Sequence, residues 1–191
     1  MSVEDDIKHK VWFYEKVIPE NVCDLIINEF DSLEYEYGRV NSLTNDTNVN
    51  TSIRFVKKIS LPRNHWSLGI LFYFGCDANT YNFKYNVSSL GTVDFLKYEE
   101  GMYYKPHSDV GSNIKSGTHN RKLTTILQLS DENDYDGGDI LIYDSQLKVS
   151  KLSRKKGSIL VFDSSVTHAV TKIKSGIRYS LCGWICGPPF S

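Results

Sequence analysis

The apolar residues of this chain change their spacing about halfway along it. In the first half, Val11-Trp12-Phe13-Tyr14 reads as a short strand, and Ile18-Pro19-Glu20-Asn21 then opens a helix with proline in its first turn. Val22, Leu25, Ile26, Phe30 and Leu33 follow at helical intervals, which predicts that they share its inward face. Gly38 to Ser52 is polar and aperiodic and reads as a long loop; 51–61 alternates weakly and predicts a strand. The apolar run over 64–74 predicts a second helix, and Tyr81, Phe83 and Tyr85 alternate with polar residues as a half-buried strand would. From Val93 onward the runs become short and are broken by turn signals at Asp136-Gly137-Gly138-Asp139 and Lys156-Gly157. Strands are predicted at 92–98, 122–129, 139–144, 146–152, 158–163, 166–173 and 176–186. Short strands preceded by helices give an α+β, mainly β fold: a sandwich or jelly roll with N-terminal supporting helices packed on one sheet.

The 191 residues suit one domain, with 1–91 as a support region and 92–187 as the jelly-roll core. A net charge of −1, with Arg154-Lys155-Lys156 as the one basic cluster, predicts no nucleic-acid partner. The longest near-apolar stretch, Leu68 to Cys76, is too short for a bilayer, and the acidic opening lacks a signal-peptide core. No membrane association and a cytoplasmic location are expected. Cys23, Cys76, Cys182 and Cys186 are then expected to be reduced thiols, packed as small hydrophobes.

The candidate chemistry lies in the second half. His107 and Asp109 are two positions apart, so in an extended segment they can reach one metal ion together. Such a pair is equally at home on a surface, and His168 alone is an ordinary strand histidine. Together, two imidazoles and a carboxylate are the ligand set that holds non-haem Fe(II) on one face and leaves the other open. Strand alternation then divides the last strand. Ile177, Tyr179, Leu181 and Ile185 share one face; Arg178, Ser180, Cys182 and Trp184 share the other. If that second face points inward, Arg178 needs an anion, and a guanidinium fork matches a carboxylate. If it points to solvent, Arg178 is simply hydrated; the alternation alone allows both.

Three segments carry a resemblance: FLKYEEGMYYKPHSD, KLTTILQLSDENDYDGGDILIYD and KKGSILVFDSSVTHAVTKIKSGIRYSLCGWI. Over roughly 93–187 the chain resembles the Fe(II)/2-oxoglutarate-dependent dioxygenase superfamily, in its prolyl 4-hydroxylase-like branch and closest to PKHD-type hydroxylases. IPENVCDLIINEF resembles the family's N-terminal support helix more loosely. The resemblance implies a double-stranded β-helix in which His107, Asp109 and His168 ligate Fe(II) and act as the catalytic centre. It implies that Arg178 binds the distal carboxylate of 2-oxoglutarate, with Tyr98 and Ser180 adding hydrogen bonds and Trp184 forming a wall. Thr125 or Gln128 would line the pocket if they point inward. It further implies O₂ as co-substrate, ascorbate as a reductant, and decarboxylation of 2-oxoglutarate to succinate. Asp109 favours hydroxylation, because related halogenases lack this carboxylate. Collagen-type relatives generally anchor the co-substrate with Lys, so with Arg178 in that place the resemblance does not imply collagen as the substrate.

A peptide or protein substrate containing proline is the leading expectation. Hydroxylation of a free amino acid or other small molecule is the alternative within the class, and a non-catalytic jelly-roll binding module the alternative outside it. The polar segments 38–52 and 111–120 are candidate lids.

Overall fold

A seven-stranded and a five-stranded antiparallel sheet form the body of the protein, with two helices on the outer face of the larger one. The computed structural model describes residues 10–41, 47–110, 120–143 and 149–189. The larger sheet runs, in spatial order, Val11–Tyr14, Ile159–Asp163, Asn120–Gln128, Arg178–Gly187, Ser89–Tyr98, Lys57–Ser60 and Glu36–Tyr37. The smaller runs Val149–Lys151, Ile140–Tyr143, His168–Val170, Tyr103–His107 and Arg54–Phe55. Strands consecutive in sequence are often not neighbours, as in a jelly roll.

Two apolar layers result. Between helices and sheet, Cys23, Ile26 and Phe30 of the helix Glu20–Phe30 meet Phe95, Leu127, Leu181 and Ile185. Leu25 and Leu33, expected on this face, are exposed, and Cys23 takes the inward position. The stripe of Cys23, Ile26 and Phe30 fixes the helix's rotation and turns Leu25 out. The second helix, Leu68–Ala78, starts four residues later than predicted and lies close on the sheet. A Cβ at Gly75 would stand 2.7 Å from Ile185 Cγ1, so a larger residue there would push the helix away. Between the sheets, Leu96, Ile126, Phe162 and Trp184 of one meet Ile140, Ile142 and Val170 of the other.

Three local predictions change. Tyr81 to Tyr85 is not a strand: Asn79–Phe83 forms a π-helical turn, because Asn79 Nδ2 donates to Tyr85 O (2.9 Å) and Asn79 Oδ1 accepts from Tyr85 N (2.9 Å). The strand expected over 51–61 splits at Val56, placing Arg54–Phe55 in the smaller sheet and Lys57–Ser60 in the larger. Within the segment read as a loop from 38 to 52, Val40–Asn41 pairs with Thr47–Asn48. Residues 42–46, 111–119 and 144–148 lie outside the described residues, so the second candidate lid and part of the 146–152 strand do too. The other strands of the second half form within a few residues of expectation, and all four cysteines are free.

Candidate metal centre

The smaller sheet brings the two histidines together. His107 ends the strand Tyr103–His107 and pairs directly with His168, which begins the next. Gly101, at φ +83°, makes the turn that brings this strand back from Ser89–Tyr98, a conformation that costs glycine little. Pro106 has no amide hydrogen to offer a ladder, and it sits where the register of this pairing shifts. Asp109 lies beyond the strand end, where its amide donates to Ser164 O (2.8 Å). Asp109 Oδ1 is 3.7 Å from His107 Nε2, and Oδ2 is 3.5 Å from His168 Nε2. One donor atom from each residue lies within 4.8 Å of the others, so the three could hold one metal ion.

Neighbouring groups orient each donor. His107 Nδ1 donates to Lys105 O (2.8 Å) and His168 Nδ1 to Val166 O (3.0 Å), which leaves both Nε2 atoms as free lone pairs facing Asp109. Burial pushes the His107 imidazole down to about 3, and the adjacent His168 acts in the same direction, so the ring is neutral near pH 7. Burial acts to raise the Asp109 carboxyl, but His168, His107 and the Thr124 hydroxyl outweigh it and hold it below the usual range. Thr124 Oγ1 donates to Asp109 Oδ2 (2.7 Å) and lies 3.1 Å from Ser164 Oγ. Tyr104 stacks on His107 with ring centroids 3.4 Å apart. Sequence reasoning gave no role to Thr124 or Tyr104: Thr124 reaches Asp109 and Ser164 only through the fold, whereas Tyr104 stands on the same strand as His107, three residues before it.

A cavity of about 680 Å³ opens from this cluster between the sheets. Arg178, Ser180, Cys182 and Trp184 all line it, while Tyr179, Leu181 and Ile185 pack under the helices. Arg178 is 1% exposed, yet no carboxylate of the described residues pairs with it. Its Nη2 donates to Gln128 Oε1 (2.9 Å) and its Nε has no partner. Ser180 Oγ and Gln128 Nε2 are also buried without partners. Tyr98 pairs in register with Arg178, is 1% exposed and lines the same cavity. Burial pushes its hydroxyl up to about 12, so it is a neutral donor at physiological pH. The two conditional candidates separate. Gln128 points to Arg178, whereas Thr125 points to the second helix, 3.1 Å from where a Gly75 Cβ would lie.

A buried cation and unpaired donors at one end of a cavity, with three metal-type ligands at the other, fit a metal chelated by a molecule that ends in a second carboxylate. The chain's similarities agree with that chemistry. Residues 93–186 match the family model described as the 2OG-Fe(II) oxygenase superfamily. A PKHD-type hydroxylase of Prochlorococcus marinus is 33% identical over 93 residues, covering 49% of this chain and 40% of that protein. The PKHD-type hydroxylase YbiX of Escherichia coli is 30% identical over 99 residues, 51% of this chain and 44% of its own. The matched region thus spans under half the length of these curated relatives. Among solved structures, a Pseudomonas putida prolyl-4-hydroxylase superposes with a TM-score of 0.75 at 18% identity, covering 98% of this chain and 97% of that one. A Trichoplax adhaerens prolyl hydroxylase, solved with a hypoxia inducible factor peptide fragment, superposes at 0.71 and 18% identity, over 97% of this chain and 87% of that one. At such identities these two show a shared fold. Over residues 93–186 the chain is thus similar to the 2OG-Fe(II) oxygenase superfamily and to PKHD-type hydroxylases, and it shares its fold with solved prolyl hydroxylases.

Proposed function

We propose that this chain is an Fe(II)- and 2-oxoglutarate-dependent hydroxylase acting on a peptidyl residue, with proline as the first candidate. The observation that carries this reading is Arg178: a fully buried guanidinium without a carboxylate, facing the cavity that holds His107, Asp109 and His168. An uncompensated buried cation is costly, and an anionic co-substrate offsets that cost.

In this reading His107 Nε2, His168 Nε2 and the Asp109 carboxylate hold Fe(II). Arg178 grips the distal carboxylate of 2-oxoglutarate, and Gln128 fixes the guanidinium through its Oε1. The unpartnered Ser180 hydroxyl and the neutral Tyr98 hydroxyl supply further donors, and Trp184 closes one wall. When bound, the metal, 2-oxoglutarate and O₂ would supply the oxidation, releasing succinate and CO₂ as a hydroxyl is placed on the substrate, while ascorbate would serve only to return oxidised iron to Fe(II). The protein positions, desolvates and excludes competing reactions. A peptide substrate is supported by the neighbour that was solved with a peptide fragment; a free amino acid or small molecule is the second reading.

Succinate release in the presence of Fe(II) and 2-oxoglutarate tests the reaction, and proline-containing peptides set against free amino acids test the substrate. Stimulation by a proline peptide, with hydroxyproline in the product, is the expected outcome. No succinate under any condition overturns the reaction; stimulation by free amino acids alone overturns the peptide.

A further inference from the structure

The cavity holds more positive charge than the proposed cofactors use. Arg39, Arg54, Lys58, Arg121 and Arg178 line it, against the carboxylates Glu36, Asp94 and Asp109. Lys58 is within 3.0 Å of Glu36 and 3.4 Å of Asp94, and Glu36 also feels Arg39 and, less strongly, Arg54; counted by charge, Glu36 and Asp94 offset Lys58 and Arg39. Arg178 and Asp109 belong to the co-substrate and metal ends. A divalent metal and a dianionic co-substrate cancel each other. Arg54 and Arg121 are left over, and neither has an ion-pair partner among the described residues.

Both are held toward the metal cluster. Arg54 lies over the Tyr104 ring, 4.9 Å from its centroid, and Tyr104 in turn stacks on His107. The Arg54 Nη1 donates to Arg39 O (3.0 Å), while its Nε is buried without a partner. Gly38 makes room for this arrangement, since a Cβ there would stand 2.6 Å from Arg54 Nε. Arg121 lies over the Trp184 ring, its Cζ 3.7 Å from the centroid, and its Nη1 is 3.5 Å from Asp109 O. A guanidinium stacked on an aromatic face is held in place while its N–H edge stays free to grip a carboxylate. The charges of both arginines reach Tyr104 and Cys182 inside the cavity.

We infer that the hydroxylated substrate carries a carboxylate, which docks on Arg54 and Arg121 at the mouth of the metal cluster. The inference rests on the oxygenase reading above and narrows its substrate class. The carboxylate could be an acidic side chain in a peptide or the carboxylate of a free acid, and paired ligands separate the two. The Fe(II)-loaded protein with 2-oxoglutarate, kept anaerobic so that nothing turns over, is titrated by calorimetry with matched acid and amide forms. The pairs are Glu-Pro-Glu against Gln-Pro-Gln peptides, and glutamate against glutamine. In at least one pair the acid should bind about tenfold tighter, the scale of one charge-assisted hydrogen bond. Arg54→Gln and Arg121→Gln should each bring that ratio toward unity. Equal affinities in both pairs, absence of binding included, overturn the inference. So does a variant that loses 2-oxoglutarate affinity while keeping the acid preference, because it assigns the arginine to the co-substrate. Binding of 2-oxoglutarate to the Fe(II) protein, measured separately by equilibrium dialysis, tells whether a negative result sinks the carboxylate alone or the oxygenase reading with it.

Discussion

The two faces of the strand Arg178–Gly187 are buried alike and do opposite things. On one, Tyr179, Leu181 and Ile185 pack against the helices, and the Tyr179 hydroxyl donates to Asp31 Oδ1 at 2.6 Å. On the other, Arg178 and Ser180 are 1% and 0% exposed, yet the Arg178 Nε and Ser180 Oγ find no partner. Burial therefore does not separate core from site in this protein. Along this strand the polar groups differ instead: the Tyr179 hydroxyl on the helix face is bonded within the chain, whereas Arg178 Nε and Ser180 Oγ on the cavity face have no partner among the described residues.

Substitutions on the two faces should separate stability from binding. The largest effect is expected from His168→Ala, which removes one of three donors and should abolish Fe(II) binding in a dialysis assay; retained stoichiometric metal would refute the ligand assignment. Leu181→Ala, on the helix face, should cost about 2–5 kcal/mol in denaturant unfolding. Its effect on 2-oxoglutarate affinity should be small, and a large loss there would blur the division between the faces. Arg178→Met, on the cavity face, should do the reverse. Co-substrate affinity should fall about 10–100-fold, while stability holds or rises because a buried charge is gone. Thr124→Val removes the hydroxyl that orients Asp109 and should weaken metal binding about tenfold; unchanged metal affinity would leave Thr124 with a packing role alone.

The smallest effect concerns pH on the helix face. Burial acts to raise the Asp31 carboxyl, but Lys97, Tyr179 and Tyr35 outweigh it and hold it below its ordinary 3.8. A depressed folded value means that the unfolded chain takes up the proton first as pH falls. The stabilisation is complete above 3.8 and is lost as pH drops through the lower folded value. Asp31→Asn should therefore cost stability at neutral pH, and the gap to the parent protein should close in acid. A gap that does not narrow at all as the pH falls into the acid range would place the effect in packing instead of charge.

Residue identity made His107, Asp109 and His168 candidates, because few side chains can hold a metal, and the resemblance of the segments around them joined the three into one expected site. The alternation around Arg178 was legible because strand geometry sorts its residues whatever the rest of the fold does. Thr124, Arg54 and Arg121 carry no such mark. Threonine and arginine are common on any strand, and only the pairing of distant strands sets them beside Asp109, Tyr104 and Trp184. The Tyr81–Tyr85 error has a local cause, since alternation over five residues cannot compete with one asparagine side chain closing a turn.

By itself, the amino-acid sequence determined the strand-rich second half and the two-faced last strand, because those depend on periodicity; the family of chemistry came from the resemblance of three whole segments, not from spacing. Tertiary structure decided which face of that strand looks into a cavity and left Arg178 without a carboxylate among the described residues. It also turned Thr125 away and Gln128 inward, and set Arg54 and Arg121 into the cavity lining. Those outcomes depend on which strands become neighbours, and long-range pairing is set by the whole chain's burial rather than by any one segment of it.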